Sequence, residues 1–200
     1  QREPWFPIFL LACLLPIVLM PFTDLDGNAL QRWLLPLATI MLIAVSIKMV
    51  PVDLLRVGRL RLFALYRPLG VACVLVIFLL FLFGRYAVSW WHLPVLIIID
   101  SFYVSTAVAV VLMLAHVRRV NEAVLCLGAA GYVHLGLTAG QLATALEVLQ
   151  PGSFNLGRML PGEELVERLS YFAFVTLGTL GYGDVLPASP LAESFAVLLN

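Results

Sequence analysis

Apolar residues along this chain come mostly in long runs. Five runs stand out, at residues 5–20, 33–47, 69–83, 93–115 and 123–149. A helix that crosses a bilayer needs about 17–25 residues. The first three cores fall slightly short, and their flanking residues extend them. Pro7, Pro16 and Pro36 lie inside runs, where neighbouring helices can satisfy the carbonyls that a proline frees. The separators at 24–28, 51–67, 84–92 and 116–122 carry turn residues and charges. Five membrane-spanning helices are predicted.

After residue 149 the pattern changes. Gln150-Pro151-Gly152-Ser153 ends the fifth helix, and a polar loop runs on to Glu164. A short amphipathic stretch follows at 165–177. At about 1.5 Å per residue it is roughly 20 Å long, too short for a hydrocarbon core of about 30 Å, so a re-entrant half-helix is expected. A glycine-rich turn occupies 178–184. Pro187 and Pro190 then restart a helix that reaches Asn200. Its residues cover about 15 Å, half a crossing. Both ends read as cut, because the chain begins at Gln1 without a Met and ends inside an apolar segment. The expected fold is an all-α membrane protein with six transmembrane helices, the last truncated, plus the re-entrant helix and its loop. Residues 1–120 form a four-helix domain and 121–200 a second domain.

Composition strengthens the membrane reading. The chain is 62% hydrophobic and 12% charged, against about 25% charged in soluble domains. Its net charge of zero gives no ground for a nucleic-acid partner. Cys13, Cys73 and Cys126 sit in three different runs without metal-ligand spacing, so they read as small packing residues. The first run lacks a small-residue cleavage site before Pro21, so a cleavable leader is not expected. No HExxH, GxSxG or metal-ligand cluster occurs, and no duplicated half is visible. An enzyme and a cofactor are therefore not expected.

Basic residues collect on cytoplasmic loops. With the glycine-rich turn outside, the inside segments hold Arg2, Lys48, Arg56, Arg59, Arg61, Arg67, Arg118 and Arg119, eight of the twelve. Arg32, Arg85, Arg158 and Arg168 fall outside. Asp24, Asp26, Glu163, Glu164, Glu167 and Asp184 lean outside as well. The N-terminus is expected in the cytoplasm of a plasma-membrane protein.

The turn itself points to ion chemistry. A potassium ion crossing lipid must exchange its water shell for fixed oxygens. Consecutive backbone carbonyls supply them if the backbone alternates between ordinary and left-handed dihedrals, which glycine adopts without steric cost. Gly181 and Gly183 bracket Tyr182, and the Thr179 hydroxyl adds an oxygen. Irregular backbone at membrane depth is tolerated where it lines a water or ion path. The half-helix before it directs its negative C-terminal dipole at a cation.

The segment YFAFVTLGTLGYGDVLP, residues 171–187, resembles the pore signature of potassium channels, whose filter is four TVGYG loops. The likeness covers about residues 123–200. It implies an outer helix, a pore helix, a selectivity filter and an inner helix from about Pro190, in a homotetramer. It further implies that Thr179, Leu180, Gly181, Tyr182 and Gly183 form the filter. Carbonyls of Thr179, Leu180, Gly181 and Tyr182, with the Thr hydroxyl, would bind K+. Asp184 would stand at the outer mouth, and Tyr171, Phe172 and Thr176 would support the filter. Two positions depart from the family pattern. Leu180 replaces Val or Ile, and Gly178 replaces a second Thr, which weakens packing behind the filter.

The fourth run, 93–115, has no Arg or Lys, so it is no voltage sensor, which needs several basic charges. Arg56, Arg59 and Arg61 read as a topogenic loop touching anionic headgroups. Asp100 is a candidate by its place in a span, with Ser101, Tyr103, Ser105 and Thr106 nearby. The plainer reading is an interhelical carboxylate paired with Arg85 or Arg118. His134 is either a proton sensor or a packed, hydrogen-bonded histidine. Gly136 and Gly140 form a GxxxG expected to receive the sixth helix or a neighbouring subunit. Two alternatives stay open: a non-selective cation channel, favoured by Gly178, and a membrane transporter or enzyme subunit using Asp100 and His134.

Overall fold

A computed structural model describes residues 4–19, 29–51, 65–82, 93–117, 119–159 and 164–200. Its helices are α1 (Trp5–Leu19), α2 (Ala29–Met49), α3 (Tyr66–Leu82), α4 (Leu93–Ala115), α5 (Glu122–Leu149), α6 (Leu165–Leu177) and α7 (Pro190–Leu199). Two short strands complete the order, β1 (Phe154–Asn155) between α5 and α6, and β2 (Leu186–Pro187) before α7. Among the described residues the regular elements are thus these seven helices and one antiparallel pair. Among them, α4 and α5 are the helices long and apolar enough to cross a membrane.

The chain divides into two compact units. The first comprises Gln1–Tyr86 and Ser101–His134, the second Ala87–Asp100 and Leu135–Asn200. Arg56, Arg59, Arg61, Arg85 and Arg118 lie outside the described residues. So do the readings placed on them, including the Asp100 pairing.

The first unit is held by apolar packing. Phe9, Leu42, Ile43, Phe102, Val110 and Leu127 are almost fully buried. Gly70 brings α3 against Ile47 of α2 and Phe102 of α4, where a methyl group would overlap both. The outward side is apolar too: Val104, Val108 and Val111 of α4 are exposed, at helical spacings that form one stripe. Water penalises such a surface and lipid does not. Buried hydroxyls return to their own helix, as an apolar setting requires. Ser46 Oγ donates to the Leu42 carbonyl at 2.7 Å, and Thr106 Oγ1 to that of Phe102 at 2.9 Å. Tyr66 and Thr106 also join hydroxyls at 3.0 Å. Lys48 lies 5.5 Å over the Trp5 ring, a cation–π contact.

The second unit is built around the end of α5. Gly136 and Gly140 receive α6: a methyl group on Gly136 would overlap the Phe174 ring, and one on Gly140 would overlap Ser170. The GxxxG therefore takes the half-helix of its own chain, where the sixth helix or a neighbouring subunit was expected. The core joins Ala143, Phe154, Leu169, Phe172, Val185 and Ala192. Ser189 opens α7 by accepting the Ala192 N–H at 3.2 Å, with Pro190 in the first turn, where its missing N–H costs nothing.

Candidate functional site

Local rules fix both ends of α6. At its start Glu167 reaches back and accepts the Glu164 N–H at 3.2 Å, which also places negative charge at the positive end of the helix dipole. Burial raises the pKa of the neighbouring Glu164 carboxyl. At its end the Thr179 N–H bonds to the Thr176 carbonyl, and the Leu180 N–H to that of Val175, both at 2.9 Å. These two bonds make a Schellman motif, which requires a left-handed residue at the position Thr179 fills. Thr179 has φ +57°, alone among described non-glycine residues in being positive. A β-branched residue there is strained. Gly178 has φ −79° and ψ 3°, a conformation open to any residue, so its backbone does not demand glycine.

Beyond the helix the dihedrals alternate. Thr179, Gly181 and Gly183 have φ of 57°, 55° and 77°, and the residues between them do not share that region. The Gly181 N–H also aims at the Val175 carbonyl, at 3.4 Å. No peptide bond here is cis, and in a trans peptide the carbonyl opposes the N–H. The Thr179 and Leu180 carbonyls therefore both point away from α6. Residues 179–184 are exposed along the whole turn, including the apolar side chains of Leu180 (59%) and Tyr182 (66%).

The two aromatic residues expected to support the filter separate. Phe172 is buried and meets Phe154 edge-on, with centroids 5.2 Å apart. Tyr171 lies at the surface under the Arg168 guanidinium, 5.4 Å from its ring. Desolvation, and then its hydrogen bond with Asp184, raise the Tyr171 hydroxyl above its usual pKa. Arg168 Nη2 approaches Asp184 Oδ2 at 3.4 Å, and Arg168 Nε donates to the Leu156 carbonyl at 3.0 Å.

A loop flanks the far end of the turn. β1 and β2 pair Phe154 with Pro187 and Asn155 with Leu186, and the Ala188 N–H bonds to the Ser153 carbonyl at 2.7 Å. Glu147 accepts the N–H groups of Gly152 at 2.7 Å and Phe154 at 2.9 Å. Glu147 and Gly157 escaped the sequence reading, and Arg168 entered it only as an outside charge. Glu147 was signalled as a lone acid in the last turn of a long apolar helix, and Arg168 as a lone Arg three residues before Tyr171; Gly157 had no signal.

The two polar candidates in the apolar helices fall in different units. His134, in the first unit, is packed: Nε2 donates to the Tyr103 carbonyl at 3.1 Å, and the ring stacks on Tyr103 at 5.2 Å. Asp100, in the second unit, is 7% exposed, and its Oδ1 has no hydrogen-bond partner among the described residues. Among those residues no group of His, Cys, Asp and Glu is arranged to hold a metal ion.

Residues 159–199, the stretch from the end of the loop through α6 and the turn to α7, match a protein family described as "Ion channel". The match supports an ion-channel family and a membrane protein rather than an enzyme. No curated protein and no solved structure matches the chain.

Proposed function

We propose that this chain is one subunit of a potassium-selective channel of the plasma membrane, with four copies around a central path and the N-terminus in the cytoplasm. One turn cannot encircle an ion, so copies must share the task. In this reading Thr179, Leu180, Gly181, Tyr182 and Gly183 are the filter, and their carbonyls with the Thr179 hydroxyl replace the water shell of K+. Asp184 stands at the outer mouth, while Tyr171, Phe172 and Thr176 support the strand. Potassium ions are the permeant ligand, and the channel takes no cofactor.

One observation carries this reading. Left-handed dihedrals recur at every second residue from Thr179 to Gly183, directly after a helix end that turns two successive carbonyls away from it. The exposed Leu180 and Tyr182 are surfaces that neighbouring copies would cover. The test is to purify the full-length protein, measure its assembled mass, and load it into vesicles under a potassium gradient. A tetramer with potassium flux supports the proposal. A monomer without flux contradicts it.

A further inference from the structure

Asp100 is the one charged residue of α4. It stands about 10 Å along the helix from Leu93, and its short stem cannot carry the carboxyl to water as a lysine stem can. It lies on the buried face of the helix, with Leu96, Tyr103 and Ala107 at helical spacings on either side. The residue is 7% exposed, and its Oδ1 has no hydrogen-bond partner among the described residues. An ionised carboxylate in that setting is costly unless a counter-charge meets it. A proton removes the charge and needs no second ligand. We propose that Asp100 is a proton-binding site, and that release of its proton loosens the unit that also holds the glycine-rich turn. The proposal stands on the burial of Asp100 in an apolar helix and is independent of the pore reading.

The charged and titratable groups of the same unit are committed elsewhere. Glu147 accepts the N–H groups of Gly152 and Phe154, and Glu167 accepts that of Glu164. Arg168 is taken by the Leu156 carbonyl and Asp184, and Asp184 also by Tyr171. Arg158, Glu164, Tyr182 and Glu193 are exposed. On α4 itself the other titratable side chain is Tyr103, whose ring stacks on His134, and His134 Nε2 is turned to the Tyr103 carbonyl. Arg85 and His92 lie outside the described residues. A bound metal ion would need further oxygen or nitrogen ligands, and no metal-holding group of His, Cys, Asp and Glu occurs among the described residues. The proton is the ligand that fits a single carboxyl.

The experiment treats full-length protein in lipid vesicles with dicyclohexylcarbodiimide, an apolar reagent that enters lipid and reacts with protonated carboxyls. The acid proton passes to one carbodiimide nitrogen and the carboxyl oxygen bonds to the central carbon. An oxygen-to-nitrogen acyl shift then leaves a stable acylurea, with no leaving group, and mass spectrometry locates it. At about pH 6, where an aspartate in water is ionised, Asp100 should be labelled. A water-soluble carbodiimide should label it at least about tenfold less, because the side chain is shielded from water. Past its midpoint, labelling should fall about tenfold per pH unit. Proton release places a charge on the buried face, so the thermal midpoint should also fall as pH rises, by about 2–4 °C per pH unit. Asp100→Asn keeps the shape and cannot ionise, so that fall should disappear. An Asp100 unlabelled at about pH 6 overturns the proposal. So does one labelled equally by both reagents, which is a wet carboxyl, or one labelled only after Arg85→Gln, which is an ion pair. A thermal midpoint with the same pH dependence in Asp100→Asn overturns the loosening. None of these readouts requires conduction, so a failure of the pore reading leaves them standing.

Discussion

The two units of this chain use opposite means to fix their structure. In the first, helices that are apolar nearly all round pack through Phe9, Leu42, Ile43 and Phe102, and hydroxyls return to their own helices. Specific geometry is scarce, and exposed valines face outward. In the second, a short helix is capped at both ends, three left-handed residues follow in alternation, and a loop is fastened by a carboxylate and a guanidinium. Non-directional burial suffices to assemble helices in lipid. A path that presents backbone oxygens needs directional bonds at each end.

Paired glycine substitutions give the largest expected contrast. Gly181 and Gly128 both have open space where a methyl group would go. They differ in backbone: Gly181 has φ +55°, whereas Gly128 lies within α5. A side chain in the left-handed region costs about 1–2 kcal/mol, and the strand escapes that cost by turning its carbonyls. Gly181→Ala should abolish conduction while assembly persists. Gly128→Ala should leave conduction intact and stabilise the helix by about 0.5–1 kcal/mol. Equal currents from the two variants would break the comparison.

Close helix contacts come next. At Gly140 the neighbours are the Ser170 hydroxyl and the Ser170 backbone Cα, and at Gly70 they are the Ile47 and Phe102 side chains alone. Side chains can shift where backbone cannot. Gly140→Val should cost about 1–3 kcal/mol or more through overpacking and lower the thermal midpoint of assembled protein. Gly70→Ala should lower it less, and the reverse order would contradict the assigned packing. The smallest effect belongs to Tyr66→Phe in the first unit. It removes one interhelical hydroxyl pair, worth about 0.6 kcal/mol in membrane proteins. Thermal stability should fall slightly, with ion selectivity unchanged.

Much of this difference was legible in the sequence. The runs at 93–115 and 165–177 coincide with α4 and α6, and those at 5–20 and 123–149 differ from α1 and α5 by a single residue. Apolar length and abrupt Pro/Gly breaks define such helices, and both are local properties. The glycine alternation was legible for the same reason. Thr179 was not foreseen in the left-handed region, because the Schellman hydrogen bonds that place it there depend on where α6 ends. The β1–β2 pair has two residues per strand, too few for any periodicity. Arg168 and Glu147 were silent because their partners are backbone groups and an acid at distant positions. The GxxxG announced a close approach without naming its partner, and Ser170 and Phe174 supplied that only in three dimensions.

In the proposed pore the turn from Thr179 to Gly183 selects potassium. The direct measurement is the reversal potential of the full-length protein in a bilayer, with potassium on one side and sodium on the other. A potential favouring potassium by on the order of a hundredfold, about 2.8 kcal/mol, is the expected result. A potential near zero, with both ions carrying current, would contradict it.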